Sequence, residues 1–200
     1  MRAARAADHE PMLIGFALLL ALASVPLRGG RISALADVQF RSPWLALVAI
    51  LLQIAVISIL PGGSQGVHRG VHLVSYALIA AFVVANRRFP YLWLISLGGA
   101  CNLLAIVANG GVMPASASAL ERAGIHQAPA EFANSTPVAG AHLSFLGDVF
   151  AVPGWLPISN VFSVGDVILL LGALLAFHRV CGSRPFRTPA PVSGPRRSAA

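Results

Sequence analysis

Two aspartates are the residues of this chain best suited to chemistry: Asp148, and Asp166 in Ser163-Val164-Gly165-Asp166. Both lie beside apolar sequence, where an ionised carboxylate is costly and is therefore a functional candidate. Two carboxylates that share a site push their pKa values apart, which suits one as an acid and the other as a base. With Asn109 to orient them, Asp148 and Asp166 are the candidate catalytic residues of an aspartyl hydrolase.

A structural role competes for each acid. Ser163-x-x-Asp166 resembles a helix-start capping box, in which the acid also benefits from the positive end of the helix dipole. Asp148 follows Gly147, so a turn is its structural alternative.

His68 and His72 are the candidate metal ligands, because histidines four positions apart lie on one helix face and can share an ion. No third ligand stands at a fixed spacing from them, and hydrogen bonding to lipid headgroups is the alternative role. No strand precedes a glycine-rich turn, so no nucleotide-binding loop and no cofactor is predicted.

Composition narrows the class of protein that must position these residues. Of 200 residues, 56% are hydrophobic and only 10% are charged, and the mean hydropathy is +0.76. A soluble domain carries roughly 25% charged residues. From composition we therefore do not expect a soluble globular fold. Two cysteines cannot build a disulfide framework.

Five apolar runs predict an all-α, polytopic integral membrane protein with five transmembrane helices, at about 12–27, 43–60, 71–86, 90–109 and 164–180. A polar lead, 1–11, precedes them. One long, partly structured outer segment, 110–163, lies between the last two, and a disordered basic tail, 181–200, follows. We expect Gln53 to bridge two helices and four glycines to be points of close helix packing: Gly98, Gly99, Gly165 and Gly172.

The arginines orient this arrangement in the cell membrane. All fourteen cations are Arg, and ten of them fall on one side of the predicted spans, which places the N-terminus outside and the C-terminus in the cytoplasm. A signal peptide cleaved after Ala21-Leu22-Ala23 is an alternative for the start of the chain, as is translation from Met12. Because the cations follow topology, nucleic acid is not a predicted partner; the lipid bilayer and other membrane proteins are.

Four motifs resemble an uncharacterised family of multipass bacterial membrane proteins, known as a domain of unknown function. The resemblance covers roughly 12–178. Its motifs are Arg28-Gly29-Gly30-Arg31-Ile32-Ser33-Ala34-Leu35-Ala36-Asp37, Asn109-Gly110-Gly111-Val112-Met113-Pro114, Leu146-Gly147-Asp148 and Phe162-Ser163-Val164-Gly165-Asp166. It implies an architecture and no activity.

A looser similarity is to lipoprotein signal peptidases, which are membrane aspartyl proteases. Asn109-Gly110-Gly111, Asp148 and the stretch from Asn160 to Asp166 follow the order of their Asn-x-Gly element and two catalytic aspartates. The similarity implies catalysis by Asp148 and Asp166. This chain has Gly165 where those peptidases have Ala, and only a loop between the Asn element and the first acid.

Since no complete catalytic motif is present, the sequence favours a non-enzymatic envelope or assembly factor. An outer-face aspartyl hydrolase using Asp148 and Asp166 is the alternative, and a small-molecule transporter is the second alternative. Against a transporter stand the missing internal repeat and the absence of a charged residue deep in any predicted span.

Overall fold

The structure is a computed structural model, and it describes residues 10–59, 65–125 and 135–184. In these ranges the chain forms six α-helices and four short strands. The helices are α1 (Glu10–Leu27), α2 (Pro43–Ile59), α3 (Gln65–Ala85), α4 (Leu92–Ala108), α5 (Ala117–Ala123) and α6 (Val164–Val180). The strands are β1 (Met113–Pro114), β2 (Ser135–Thr136), β3 (Asp148–Val152) and β4 (Asn160–Ser163). Two short 3-10 helices cover Ile32–Asp37 and Ser144–Leu146.

The helices correct the prediction of five transmembrane spans. None of the helices in the described ranges combines the length and the apolar character needed to cross a membrane. Helices α2, α4 and α6 have 17 residues each, which gives about 26 Å at a rise of 1.5 Å per residue, against about 30 Å of hydrocarbon. Helix α1 includes Glu10 and Pro26, and α3 opens with two polar turns that contain Gln65 and Arg69. The predicted polytopic fold class is therefore wrong.

The all-α part of that prediction is wrong as well, because the segment 110–163 contains strands. Strands β1 and β2 pair in parallel, and β3 and β4 form an antiparallel hairpin. In the hairpin Asp148 is opposite Ser163 and Val152 is opposite Asn160, with a bulge between Asp148 and Phe150. Residues 153–159, with Pro153 among them, connect the two strands, as turn residues between apolar runs do.

Helix α5 lies against this hairpin and gives the segment a small core of its own. The core consists of Ala115, Ala119, Leu120, Ala123 and Val161, all buried. Ile125 and Ala151 pack at its edge. The segment is thus a compact layer of helix and strands joined to α4 at one end and α6 at the other.

The longer helices pack mainly as pairs, α4 with α6, α1 with α6 and α2 with α3. Gln53 on α2 donates a 3.1 Å hydrogen bond to Ser75 on α3, which confirms its predicted bridging role. After α3, the buried Asn86 side chain accepts from the backbone N–H of Arg41 at 2.7 Å and donates to its carbonyl at 2.9 Å. This pair of bonds fixes the start of α2 to the end of α3.

Candidate functional site

Asp166 lies in the first turn of α6, where it completes a capping box with Ser163. The Ser163 hydroxyl accepts a hydrogen bond from the Asp166 backbone N–H at 2.9 Å. In return the Asp166 Oδ2 atom accepts from the Ser163 backbone N–H at 2.9 Å. This arrangement satisfies two backbone donors that the helix itself cannot satisfy, and it places a carboxylate at the positive end of the helix dipole.

Asn102, on the neighbouring helix α4, extends the capping box into a network between two helices. Its Nδ2 atom donates to Asp166 Oδ1 at 2.7 Å. The Ser163 hydroxyl lies 2.7 Å from Asn102 Oδ1 and 2.8 Å from Asp166 Oδ2, and its single hydrogen serves one of them at a time. Ser163 itself is fully buried. Both carboxylate oxygens of Asp166 are therefore used inside the protein.

Glycines allow α4 and α6 to approach closely enough for these bonds. A Cβ atom on Gly98 would lie 2.5 Å from the carbonyl oxygen of Gly165 and 2.5 Å from the backbone nitrogen of Leu169. A Cβ atom on Gly165 would collide with Asn102 Oδ1, and one on Gly172 would lie 2.8 Å from the Ile95 nitrogen. The predicted packing role is confirmed for Gly98, Gly165 and Gly172. For Gly99 it is wrong, because its Cβ direction is open.

Asp148 reaches the same region from β3. Its residue partner across the hairpin is Ser163, so Asp148 and Asp166 are both neighbours of the same serine. Asp148 is 5% exposed, and its carbonyl oxygen accepts from the Ser116 backbone N–H at 3.0 Å, next to a parallel bridge with Ala115. Its backbone therefore joins β3 to the start of α5.

Asn109, the predicted orienting residue, forms hydrogen bonds with α4 and with the loop at His142. Its Nδ2 atom donates to the carbonyl oxygens of Ala105 and His142, both at 2.8 Å. Its Oδ1 atom accepts from the His142 backbone N–H at 2.9 Å. Asn109 therefore ties the loop at His142 to the end of α4, and Asn102 is the amide that contacts Asp166.

Asn102 is the residue whose importance sequence reasoning missed. Asn102 and Asn109 are seven positions apart and therefore on one face of α4, which is a visible signal. Its partner lies 64 positions away on α6, and no local pattern in the sequence identifies that partner.

The predicted metal ligands lie at the start of α3, but the side chains of His68 and His72 are outside the described residues. Among the side chains that are described, no group of three or more His, Cys, Asp or Glu residues could hold a metal ion.

One open cavity lies between α1 and α6 and a second lies at the end of α1 beside Arg184, and neither is lined by Asp148 or Asp166. The larger has a volume of about 530 Å³ and the other about 460 Å³. A pocket around the two acids, which a hydrolase would use to hold its substrate, is not among these two cavities.

Comparison with known proteins gives one match. No curated protein and no solved structure matches the chain. A family model described as a family of unknown function, DUF5317, matches residues 37–178, well over half of the sequence. That stretch contains α2 to α5, all of α6 except its last two residues, the capping network and the hairpin. On this match the chain belongs to the DUF5317 family of unknown function.

Proposed function

We propose that this chain is a non-enzymatic assembly factor that binds an apolar helix of another protein along one exposed side of α4. The observation that supports the proposal is a line of apolar residues on that side, here named the α4 stripe: Trp93, Leu97, Ala100, Leu104 and Val107. Trp93 is 64% exposed, Leu97 46%, Leu104 56% and Val107 65%. An exposed apolar surface of this kind is typical of an interaction site.

The spacing of the α4 stripe favours a helix as the partner. Successive members are four, three, four and three positions apart, which is the repeat of residues that pack a helix against a second helix. At about 100° per residue they occupy a sector of roughly 80°, which is the narrow seam of helix pairing. The stripe is about 21 Å long at 1.5 Å per residue, enough for four turns of a partner helix.

The opposite side of α4 holds the helix in place. Gly98, Asn102 and Ala105 lie on that side: Gly98 and Ala105 are buried, and Asn102 bonds Asp166. In this proposal the capping network is architecture. It fixes α4 against α6 and leaves the α4 stripe available in a defined orientation.

Site-specific crosslinking tests the proposal. A photoreactive amino acid is placed at Leu97 or Leu104, and the matched control is placed at Gly99, which is exposed on the same helix but lies outside the stripe. We expect both stripe positions, and not position 99, to crosslink one and the same protein through an apolar helix. In cells that lack the native gene, the double variant Leu97→Arg with Leu104→Arg should fail to reverse the effect of the deletion, whereas Gly99→Arg should reverse it.

Three outcomes would overturn the proposal. Equal crosslinking at Leu97 and Gly99 would show that the partner does not bind specifically along the α4 stripe. Crosslinks from Leu97 and Leu104 to lipid alone would assign the surface to the bilayer. Loss of function in folded Asp148→Asn and Asp166→Asn proteins would favour the hydrolase.

The hydrolase alternative stays a prediction with one observation in its favour, which is that Asp148 and Asp166 are both neighbours of Ser163. The similarity to lipoprotein signal peptidases belongs to this alternative. Against it, Asp166 gives both carboxylate oxygens to internal donors. The transporter, the lipid bilayer as partner and the cell-membrane location also stay predictions.

A further inference from the structure

The two cavities meet at Arg28, which lines both. The cavity of about 460 Å³ is a groove between the two helices. Its walls are mainly apolar and include Ala17, Leu20, Leu170 and Leu174. Both volumes fall in the range of roughly 300–1,000 Å³ that is typical of small-molecule sites.

One end of the groove is polar. Ser24 and His178 line it beside Arg28 and join its two walls, with the Ser24 hydroxyl 2.9 Å from His178 Nε2. The Ser24 hydroxyl also donates to the Ala21 carbonyl at 2.6 Å, so His178 Nε2 is the donor in the bond between the two side chains. The groove thus changes from apolar to polar along its length.

The second cavity, of about 530 Å³, continues from this polar end and adds a second cation. It is lined by Arg28 and Arg184, together with Pro26, Leu27 and Gly29. The Arg184 backbone N–H donates to the Arg28 carbonyl at 3.1 Å, which holds the backbones of the two arginines next to each other. Within the described ranges neither guanidinium has a hydrogen bond or an ion pair with a protein group.

The junction that carries both arginines is closely packed. Ser183 and Val25 are fully buried, and the Arg31 backbone N–H donates to the Cys181 carbonyl at 2.9 Å. A Cβ atom on Gly30 would lie 2.7 Å from Val25 Cγ1 and would collide with the Ser183 hydroxyl. Arg28 and Arg184 are both exposed at this junction, so a ligand in the second cavity can reach them.

We propose that these adjoining cavities bind an anionic amphiphile, a phosphate ester with a hydrocarbon chain. The phosphate would lie between Arg28 and Arg184, because guanidinium groups form paired, charge-assisted hydrogen bonds with phosphate oxygens. The chain would lie in the groove between α1 and α6, against Leu20 and Leu174. This site is separate from the α4 stripe and does not depend on the function proposed for it.

Direct titration of the full chain tests the site. The probes are dioctanoyl phosphatidic acid, inorganic phosphate and dioctanoylglycerol, each below its aggregation concentration. We expect phosphatidic acid to bind at least tenfold more tightly than either of the others, because only it has both the anion and the chain. Arg28→Gln and Arg184→Gln should each weaken its binding about tenfold, and Arg88→Gln, an exposed arginine outside both cavities, should leave it unchanged.

A second pair of variants tests the hydrocarbon groove. Leu20 lines it and is 55% exposed, whereas the adjacent Leu19 is 66% exposed and does not line it. Leu20→Asn should weaken binding of phosphatidic acid about threefold or more, and Leu19→Asn should not.

Any of four results would overturn the site. If inorganic phosphate bound as tightly as phosphatidic acid, the arginines would form a site for free phosphate. If dioctanoylglycerol bound as tightly as phosphatidic acid, the arginines would have no role in binding. The other two are equal effects of Leu19→Asn and Leu20→Asn, and unchanged binding in a folded Arg28→Gln or Arg184→Gln protein. Each arginine is replaced in a separate protein. If one variant does not fold, binding by the other variant still tests the site.

Discussion

Asn102 on α4 donates a hydrogen bond of 2.7 Å to the carboxylate of Asp166 on α6, and this bond joins the two helices where Gly98 and Gly165 allow them to approach closely. The same carboxylate closes the capping box with Ser163. One acid therefore stabilises the start of its own helix and the contact with the next. Asp148 is next to this capping box, because in the hairpin it is opposite Ser163.

The first prediction concerns the coupling between Asn102 and Asp166. Asp166→Ala should lower the free energy of unfolding by about 1–2 kcal/mol, because it removes a cap and leaves the Asn102 amide without its acceptor. Asp166→Asn, which keeps an acceptor oxygen, should cost less. In a double-mutant cycle with Asn102→Ala, measured by denaturant unfolding, we expect a coupling energy of about 0.5–3 kcal/mol. Strictly additive effects would show that the bond contributes nothing to stability.

The second prediction compares two adjacent glycines on α4. Gly98→Ala should destabilise the protein by about 1–3 kcal/mol, since the new methyl group would meet backbone atoms of Gly165 and Leu169, which cannot rotate away. Gly99→Ala should be neutral or stabilising by up to about 1 kcal/mol, because its Cβ direction is open and alanine favours the helix. Thermal unfolding of both variants gives the comparison. Equal losses would contradict the close contact of α4 with α6.

The capping box shows which parts of the site were accessible from the sequence. Ser163-x-x-Asp166 is a local pattern, and it predicted the cap that the structure contains. The pairing of Asp166 with Asn102 and of Asp148 with Ser163 depends on contacts between distant parts of the chain. Neither helix periodicity nor spacing encodes such contacts, so the sequence did not identify Asn102 as the amide that bonds Asp166.

The fold was predicted less well, for a related reason. Apolar runs indicated helices in the regions where α1 to α4 and α6 lie, but run length alone did not show where each helix ends. In the segment 110–163 the all-α prediction contained no strands, although the sequence has the turn residues Pro153 and Gly154 there. In the structure they belong to the connection between β3 and β4. Strands of four or five residues leave a weak pattern, and pairing makes them recognisable.

The third prediction concerns the contact between Asn109 and His142. Asn109→Ala removes both hydrogen bonds to the His142 backbone, so the loop should open more often. Hydrogen exchange of the peptide 139–147 should become faster, and the free energy of unfolding should fall by about 1–2 kcal/mol. Asn109→Asp keeps the acceptor for the His142 N–H and should show a smaller change. Unchanged exchange in Asn109→Ala would mean that other contacts hold the loop.

The last prediction uses Cys181, a buried thiol at the end of α6. Burial raises the pKa of the Cys181 thiol, because the thiolate would lose its hydration. A thiol whose pKa is higher in the folded than in the unfolded state contributes stability that is fully present below the unfolded pKa. That stability is lost as the pH rises through the folded pKa.

In a Cys101→Ala background, where Cys181 is the remaining thiol, two measurements test this shift. Alkylation of folded Cys181 should begin at a higher pH than alkylation of the unfolded chain, since the thiolate is the reactive form. The free energy of unfolding should fall more steeply as the pH rises above about 8.5, the usual pKa of a cysteine thiol, than it does when Cys181 is also replaced by Ala. Burial also raises the pKa of Tyr76, which remains in both proteins, so the difference between them isolates Cys181. Parallel pH profiles would contradict a raised pKa at Cys181.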